Sequence, residues 1–129
     1  MRESRESEWT LREPTGIEHT YRRATCGPSG YAYVRFHCEP SSVLSFTSTA
    51  EWPAALGTEY SARLEQAVQQ GVVEAFSAAE GSISRICKVV LTGVGWHDVQ
   101  SSETAFRRAA TEAFVSLVNN DALWTAEVQ

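Results

Sequence analysis

Apolar residues recur at spacings of three and four in two stretches of this chain. From about Thr58 to Ala79, the positions Tyr60, Leu64, Ala67, Val68, Val72, Ala75 and Phe76 form one stripe, which predicts an amphipathic helix. Gly71 weakens it slightly, and Glu80-Gly81 supplies an end. The second helix is predicted to start at Ser101 or Ser102, either of which can cap the free N–H groups, with Glu103 favourable in the first turn. Its stripe is Phe106, Ala109, Ala110, Ala113, Phe114, Leu117 and Val118, and Asn119-Asn120 ends it.

Elsewhere the period is two. Between Tyr31 and Cys38 the alternation sets Ala32, Val34, Phe36 and Cys38 on one face and Tyr31, Tyr33, Arg35 and His37 on the other. Val43 to Thr47 repeats the pattern with Leu44 and Phe46 inward, and the β-branched run Ile83 to Thr92 reads as an interior strand. Ile17 to Thr25 precedes a hairpin whose loop is "TCGPSG", and Leu123 to Val128 is expected as an edge strand. Strands, helix, strand, helix is the order of an α+β layer: a mostly antiparallel four-stranded sheet with two helices on one face. The outer face of that sheet would show Tyr31, Tyr33, Arg35 and His37.

Composition changes this picture little. At 129 residues, 43% hydrophobic and 21% charged, the chain fits one folded domain. Residues 1–8 alternate charges without an apolar core, which reads as a flexible tail ahead of a single domain over 9–129, with no secretion signal. No apolar run approaches the roughly 20 residues that span a bilayer, so a cytoplasmic protein without membrane contact is expected. The formal charge of −5 argues against a general nucleic-acid binder. The acidity is concentrated, however: Glu51, Glu59, Glu65, Glu74 and Glu80 face only Arg63 between residues 50 and 81. Around the predicted sheet, Arg22, Arg23 and Arg35 outnumber Glu18 and Glu39, which leaves room for local phosphate contact.

Candidate chemistry is sparse. Cys26, Cys38 and Cys87 are odd in number and lack CxxC spacing, so reduced thiols are expected rather than disulfides or zinc ligands. Cys87 sits among apolar residues, where a thiol behaves as an inert hydrophobe; Cys26 is the more reactive candidate, but nothing supplies an oxyanion hole or an orienting acid. His97 and Asp98 are adjacent and would point to opposite faces of a strand, and His19 with His37 gives two ligands at most, so no metal site is expected. There is no GxxxxGK[ST] phosphate cradle, so no nucleotide cofactor is expected either. The stretch "TGVGWHDVQSSETAF", Thr92 to Phe106, reads as strand end, exposed apex and capped helix.

That stretch carries a resemblance. "GVGWHDVQSSETAFRRAATEAF" resembles the segment of translation elongation factor G that follows the last long strand of its fourth domain, with Gly95, Trp96, His97, Asp98, Val99, Ser101, Ser102, Glu103, Ala105 and Phe106 matching without a gap. "EYSARLEQAVQQGVVEAF" is similar to the first long helix of that domain, "TCGPSGYAYVRFHCEP" to its glycine-rich hairpin loop and the strand closing in Glu-Pro, and "REP" to its entry. The tetracycline-resistance ribosomal protection proteins share the same domain. The resemblance implies a ribosomal-protein-like split βαβ fold with a left-handed crossover, no catalytic residues, and a tip that contacts the ribosome, tRNA or rRNA. Carried over, the tip comprises Thr25, Cys26, Gly27, Pro28, Ser29 and Gly30 with Trp96, His97 and Asp98. The first loop departs from the family by lacking its basic residue and inserting Pro28. These 129 residues hold no GTPase domain, so the expectation is a free-standing relative, a fragment, or one part of a split factor. The competing expectation is a protein–protein module, self-association included, that kept the fold and lost RNA binding. Contact through the outer-face residues Tyr31, Tyr33, Arg35 and His37 is a further expectation, by stacking of bases.

Overall fold

The computed structural model describes residues 8–23, 30–78, 84–97 and 101–126. Along the chain these form β1 (Glu8–Leu11), β2 (Thr15–Arg23), β3 (Gly30–Glu39), β4 (Ser45–Ser48), α1 (Thr58–Ala78), β5 (Ser84–Arg85), β6 (Lys88–Gly95), α2 (Glu103–Val118) and β7 (Trp124–Ala126). Both helices fall where the three-and-four spacing puts them. All seven α2 stripe residues are buried, as are six of the seven in α1, Tyr60 being the half-buried one.

The main sheet has the order β2-β3-β6-β4. β2 pairs antiparallel with β3, and β3 with β6, while β4 runs parallel to β6. The α+β layer with two helices is therefore as expected. One detail differs: β4 and β6, the strands joined through α1, are immediate neighbours, so no strand splits the βαβ unit. The expected strand from Ile83 to Thr92 breaks at Ile86-Cys87 into β5 and β6, and only β6 enters the main sheet, between β3 and β4.

A second sheet has the order β5-β1-β7; β7 lies within the edge strand expected from Leu123 to Val128, but the sequence patterns predict neither β1 nor the sheet itself. β1 lies in the middle, parallel to β5 and antiparallel to β7. A four-residue strand such as β1 carries too little periodicity to stand out in sequence, and the pairing of this sheet joins segments far apart in the chain. Trp124 closes this end of the core: its side chain is buried, its indole N–H donates to the Leu117 carbonyl at 3.0 Å, and Arg85 lies 5.9 Å from its ring centre.

The inner face of the main sheet and the two helices share one core. On β3, Ala32, Val34, Phe36 and Cys38 are all buried, while Tyr31, Tyr33 and His37 are half-buried and Arg35 is exposed on the other face. Phe114 packs edge-on to Phe36 with ring centres 4.8 Å apart, and Phe76 stands 5.6 Å from the same Phe114 ring. Leu44, expected inward, is instead 40% exposed beside Val43 at 61%, because β4 begins only at Ser45 and the preceding residues lie outside the ladder. Gly71 marks the closest approach of the helices. A Cβ there would collide with the Arg107 carbonyl oxygen and lie 2.9 Å from Ala110 Cβ. Its own carbonyl accepts a hydrogen bond from the Thr111 hydroxyl at 3.2 Å.

Candidate nucleic-acid interface

The strand register brings the strand ends that flank the two expected tip loops to one end of the sheet. Arg23 pairs with Gly30 at the end of the β2–β3 hairpin, and Gly95 pairs with Tyr33 at the end of β6. Of the tip residues, Thr25, Cys26, Gly27, Pro28, Ser29 and Asp98 lie outside the described residues. Gly30, Trp96 and His97 can be placed.

Gly30 is buried where the hairpin enters β3, and a Cβ on it would lie 2.9 Å from the Tyr21 ring. Trp96 turns toward the helices. Alternation along β6 puts Val94 opposite core residue Val34 and Gly95 opposite outward Tyr33, so position 96 points inward again. Its ring stacks on Phe106 at 6.1 Å and 11°, and meets Tyr60 edge-on at 5.9 Å. An aromatic that sequence places at an exposed apex is thus half-buried packing between β6 and both helices.

His97 is exposed. Its position is fixed by a small hydrogen-bonded circuit around Ser101. The His97 N–H donates to the Ser101 hydroxyl at 2.8 Å, that hydroxyl donates to the Tyr31 carbonyl at 2.8 Å, and the Ser101 N–H donates to the His97 carbonyl at 2.9 Å. The next residue does the capping. The Ser102 hydroxyl accepts from the Ala105 N–H at 3.1 Å and starts α2. The imidazole stands edge-on to the Tyr31 ring with centres 6.4 Å apart, and Arg22 lies over the same tyrosine at 5.4 Å. Arg22, Tyr31 and His97 therefore form one cation–aromatic–imidazole cluster at this end of the open sheet face.

Farther along that face, the expected stripe is intact. Tyr33 donates its hydroxyl to Glu18 at 2.5 Å, and this bond, with a smaller contribution from burial, raises the phenol above its ordinary pKa. His37 Nε2 lies 3.0 Å from Glu39. A β-bulge between Arg35 and Phe36 leaves Thr92 unpaired on β6. Arg35 uses that irregularity, donating Nε to the Thr92 hydroxyl at 3.2 Å and Nη2 to its carbonyl at 3.3 Å. The pairing of His19 with His37 does not occur: His19 lies opposite Val34 on the helix face, 2.8 Å from Glu112, whereas His37 lies opposite Gly16 on the open face.

Four contributors are not legible as such in the sequence. Arg22 was counted only as charge, since its partnership with Tyr31 depends on the hairpin register across residues 24–29. Ser101 was weighed only as a cap. Gly93 and Gly95 follow the expected strand end at Thr92, yet both lie in β6, beneath Arg35 and Tyr33.

The comparisons with known proteins agree with this architecture. A crystal structure of a protein from Thermus thermophilus superposes with a TM-score of 0.69 at 24% identity, covering 84% of this chain and 16% of that one. At that identity the likeness concerns the fold, and the chain spans only a minor part of the larger protein's length. No curated protein sequence matches the chain. The family described as "Elongation factor G, domain IV" matches residues 6–120, nearly the whole length, and the chain belongs to that family.

Proposed function

We propose that this chain is a non-enzymatic domain that contacts the ribosome or its RNA, as a relative of the translocation domain of elongation factor G. The observation that carries the reading is the family match across residues 6–120, which includes the loop with His97. Two features of the site support it. His97 is exposed at the end of the sheet, and the Ser101 circuit holds the backbone beneath it so that the ring projects from a defined position. Pre-ordering of this kind lowers the entropic cost of contact. A ribosomal partner makes the cytoplasm the working compartment, and no helix among the described residues is long and apolar enough to cross a membrane.

The test is co-sedimentation with ribosomes at low salt. Wild type is expected to pellet with ribosomes and His97→Ala to pellet less. Absence of association by wild type would sink the reading. Trp96→Ala is a poor probe of contact, because removing that ring unpacks Phe106 and Tyr60.

One observation favours the second reading, a protein–protein module. Residues 41–50, which include edge strand β4, contain no charged side chain, and Val43, Leu44 and Val73 are exposed around it. That reading predicts ribosome indifference together with concentration-dependent sedimentation that Val73→Glu abolishes.

A further inference from the structure

The open face of the main sheet has a composition unlike the rest of the molecule. No helix among the described residues covers it, and the register assigns it Glu18 and Arg22 from β2, Tyr31, Tyr33, Arg35, His37 and Glu39 from β3, and Lys88 from β6. Arg22, Arg35 and Lys88 outnumber Glu18 and Glu39 there, on a chain whose net charge is −5. The mild positive excess thus sits on the same face as the tyrosines.

The glycines of β6 determine how this face is shaped. A Cβ at Gly93 would lie 2.9 Å from both Cζ and Nη2 of Arg35 and 3.2 Å from its Nε. Three guanidinium atoms at nearly one distance mean that the plane lies flat on the strand, held there by Thr92. Its other side is open, since Arg35 is exposed. At Gly95 an added Cβ would lie 2.9 Å from Tyr33 Cβ and 3.3 Å from the Tyr31 hydroxyl, so glycine there leaves room for both tyrosines. Beside Arg35 the absence of a side chain at Gly16 opens a depression of about 450 Å³, bordered by Glu18, His37 and Thr92. This volume falls in the range of small-ligand sites. Its rim offers guanidinium N–H donors, a carboxylate acceptor and an imidazole, groups that match the polar edge of a base.

We infer that the open sheet face is a second RNA-contacting surface, one that takes unpaired nucleotides by stacking a base on the Arg35 guanidinium plane and seating its edge in the depression between Gly16 and His37. The inference extends the RNA-contact reading, but uses residues distinct from the tip loops. Single strands are selected over duplex because a flat-lying cation and an aromatic ring stack only with exposed base faces. The few cations make the binding modest and dependent on stacking rather than on phosphate neutralisation alone.

Fluorescence anisotropy with a fluorescein-labelled, mixed-sequence RNA of about ten nucleotides, within the usual single-strand site size, tests this, with the same RNA annealed to its complement as control. Wild type binds the single strand in preference to the duplex. Arg35→Ala weakens binding by about tenfold, the loss of one stacking partner. Gly93→Ala weakens it similarly, because the added methyl meets only the flexible end of Arg35 and lifts the guanidinium while leaving the backbone in place. Thermal melts establish that each variant is folded. Equal binding by wild type, Arg35→Ala and Gly93→Ala, or no single-strand binding by wild type, overturns the inference. Ribosome co-sedimentation separates the two ideas. Association with ribosomes without single-strand binding leaves the tip reading standing alone, and single-strand binding without ribosome association removes the ribosome reading but not this one.

Discussion

Ser101 and Ser102 are adjacent hydroxyls with unrelated duties, and the difference can be measured one amide at a time. Ser102 caps α2 through the Ala105 N–H, whereas Ser101 ties the His97 backbone to the Tyr31 carbonyl. Ser102→Ala is expected to cost about 1 kcal/mol of stability and to speed hydrogen exchange at the Ala105 amide. Ser101→Ala should instead deprotect the His97 amide and reduce ribosome association as far as His97→Ala does. Exchange at His97 unchanged in Ser101→Ala would remove Ser101 from its positioning role. Cys87 makes a second residue-scale prediction. A hydrogen bond with Cys38, and then burial, push its thiol far above the ordinary range. The unfolded chain releases that proton near pH ~8.5 while the fold retains it, so the unfolded state binds fewer protons above that pH. Stability is therefore complete below about pH 8.5 and falls as pH rises, by up to ~1.4 kcal/mol per unit. Urea midpoints measured from about pH 8 to about pH 10, a range that spans the unfolded thiol's titration, should fall more steeply for wild type than for Cys87→Ala.

At the scale of elements, the most demanding position is the crossing of α1 and α2. Helix propensity alone favours Ala over Gly by about 1 kcal/mol. At Gly71 the sign should reverse, because an added Cβ meets the Arg107 backbone carbonyl, which cannot swing aside. Gly71→Ala is expected to destabilise by about 1–3 kcal/mol, the usual cost of overpacking, read as a lower urea midpoint. A neutral or stabilising result would mean that the helices separate more easily than this packing implies. The helices themselves were legible in sequence because their stripes repeat over successive turns. The reason for Gly71 was not, since a crossing point is a relation between two helices. The bulge at Thr92 is equally hidden: one extra residue in β6 places both Thr92 and Gly93 on the open face, and no residue type announces it.

The molecule as a whole divides its chemistry between its two faces. Helices and inner sheet residues make the core, and the opposite side of the sheet holds aromatic and basic groups. Among the described residues, Arg22, Arg35 and Lys88 supply the cations on that side, so at about 0.7 per phosphate contact the logarithm of single-strand affinity should fall against the logarithm of salt with a slope no steeper than about −2. A much steeper slope in a salt titration would move the contact to other arginines. Sequence by itself determined the α+β class, both helices, the inward and outward faces of β3 and membership of the elongation factor G domain IV family. Each of these rests on a local period or an ungapped motif, which a linear string preserves. Tertiary structure alone decided that Trp96 packs between Phe106 and Tyr60, that Ser101 braces the His97 backbone, that β1, β5 and β7 form a second sheet, and that Gly93 lies under Arg35. Those outcomes depend on register and on close approach between segments far apart in the chain, and such distances are set only when the chain folds.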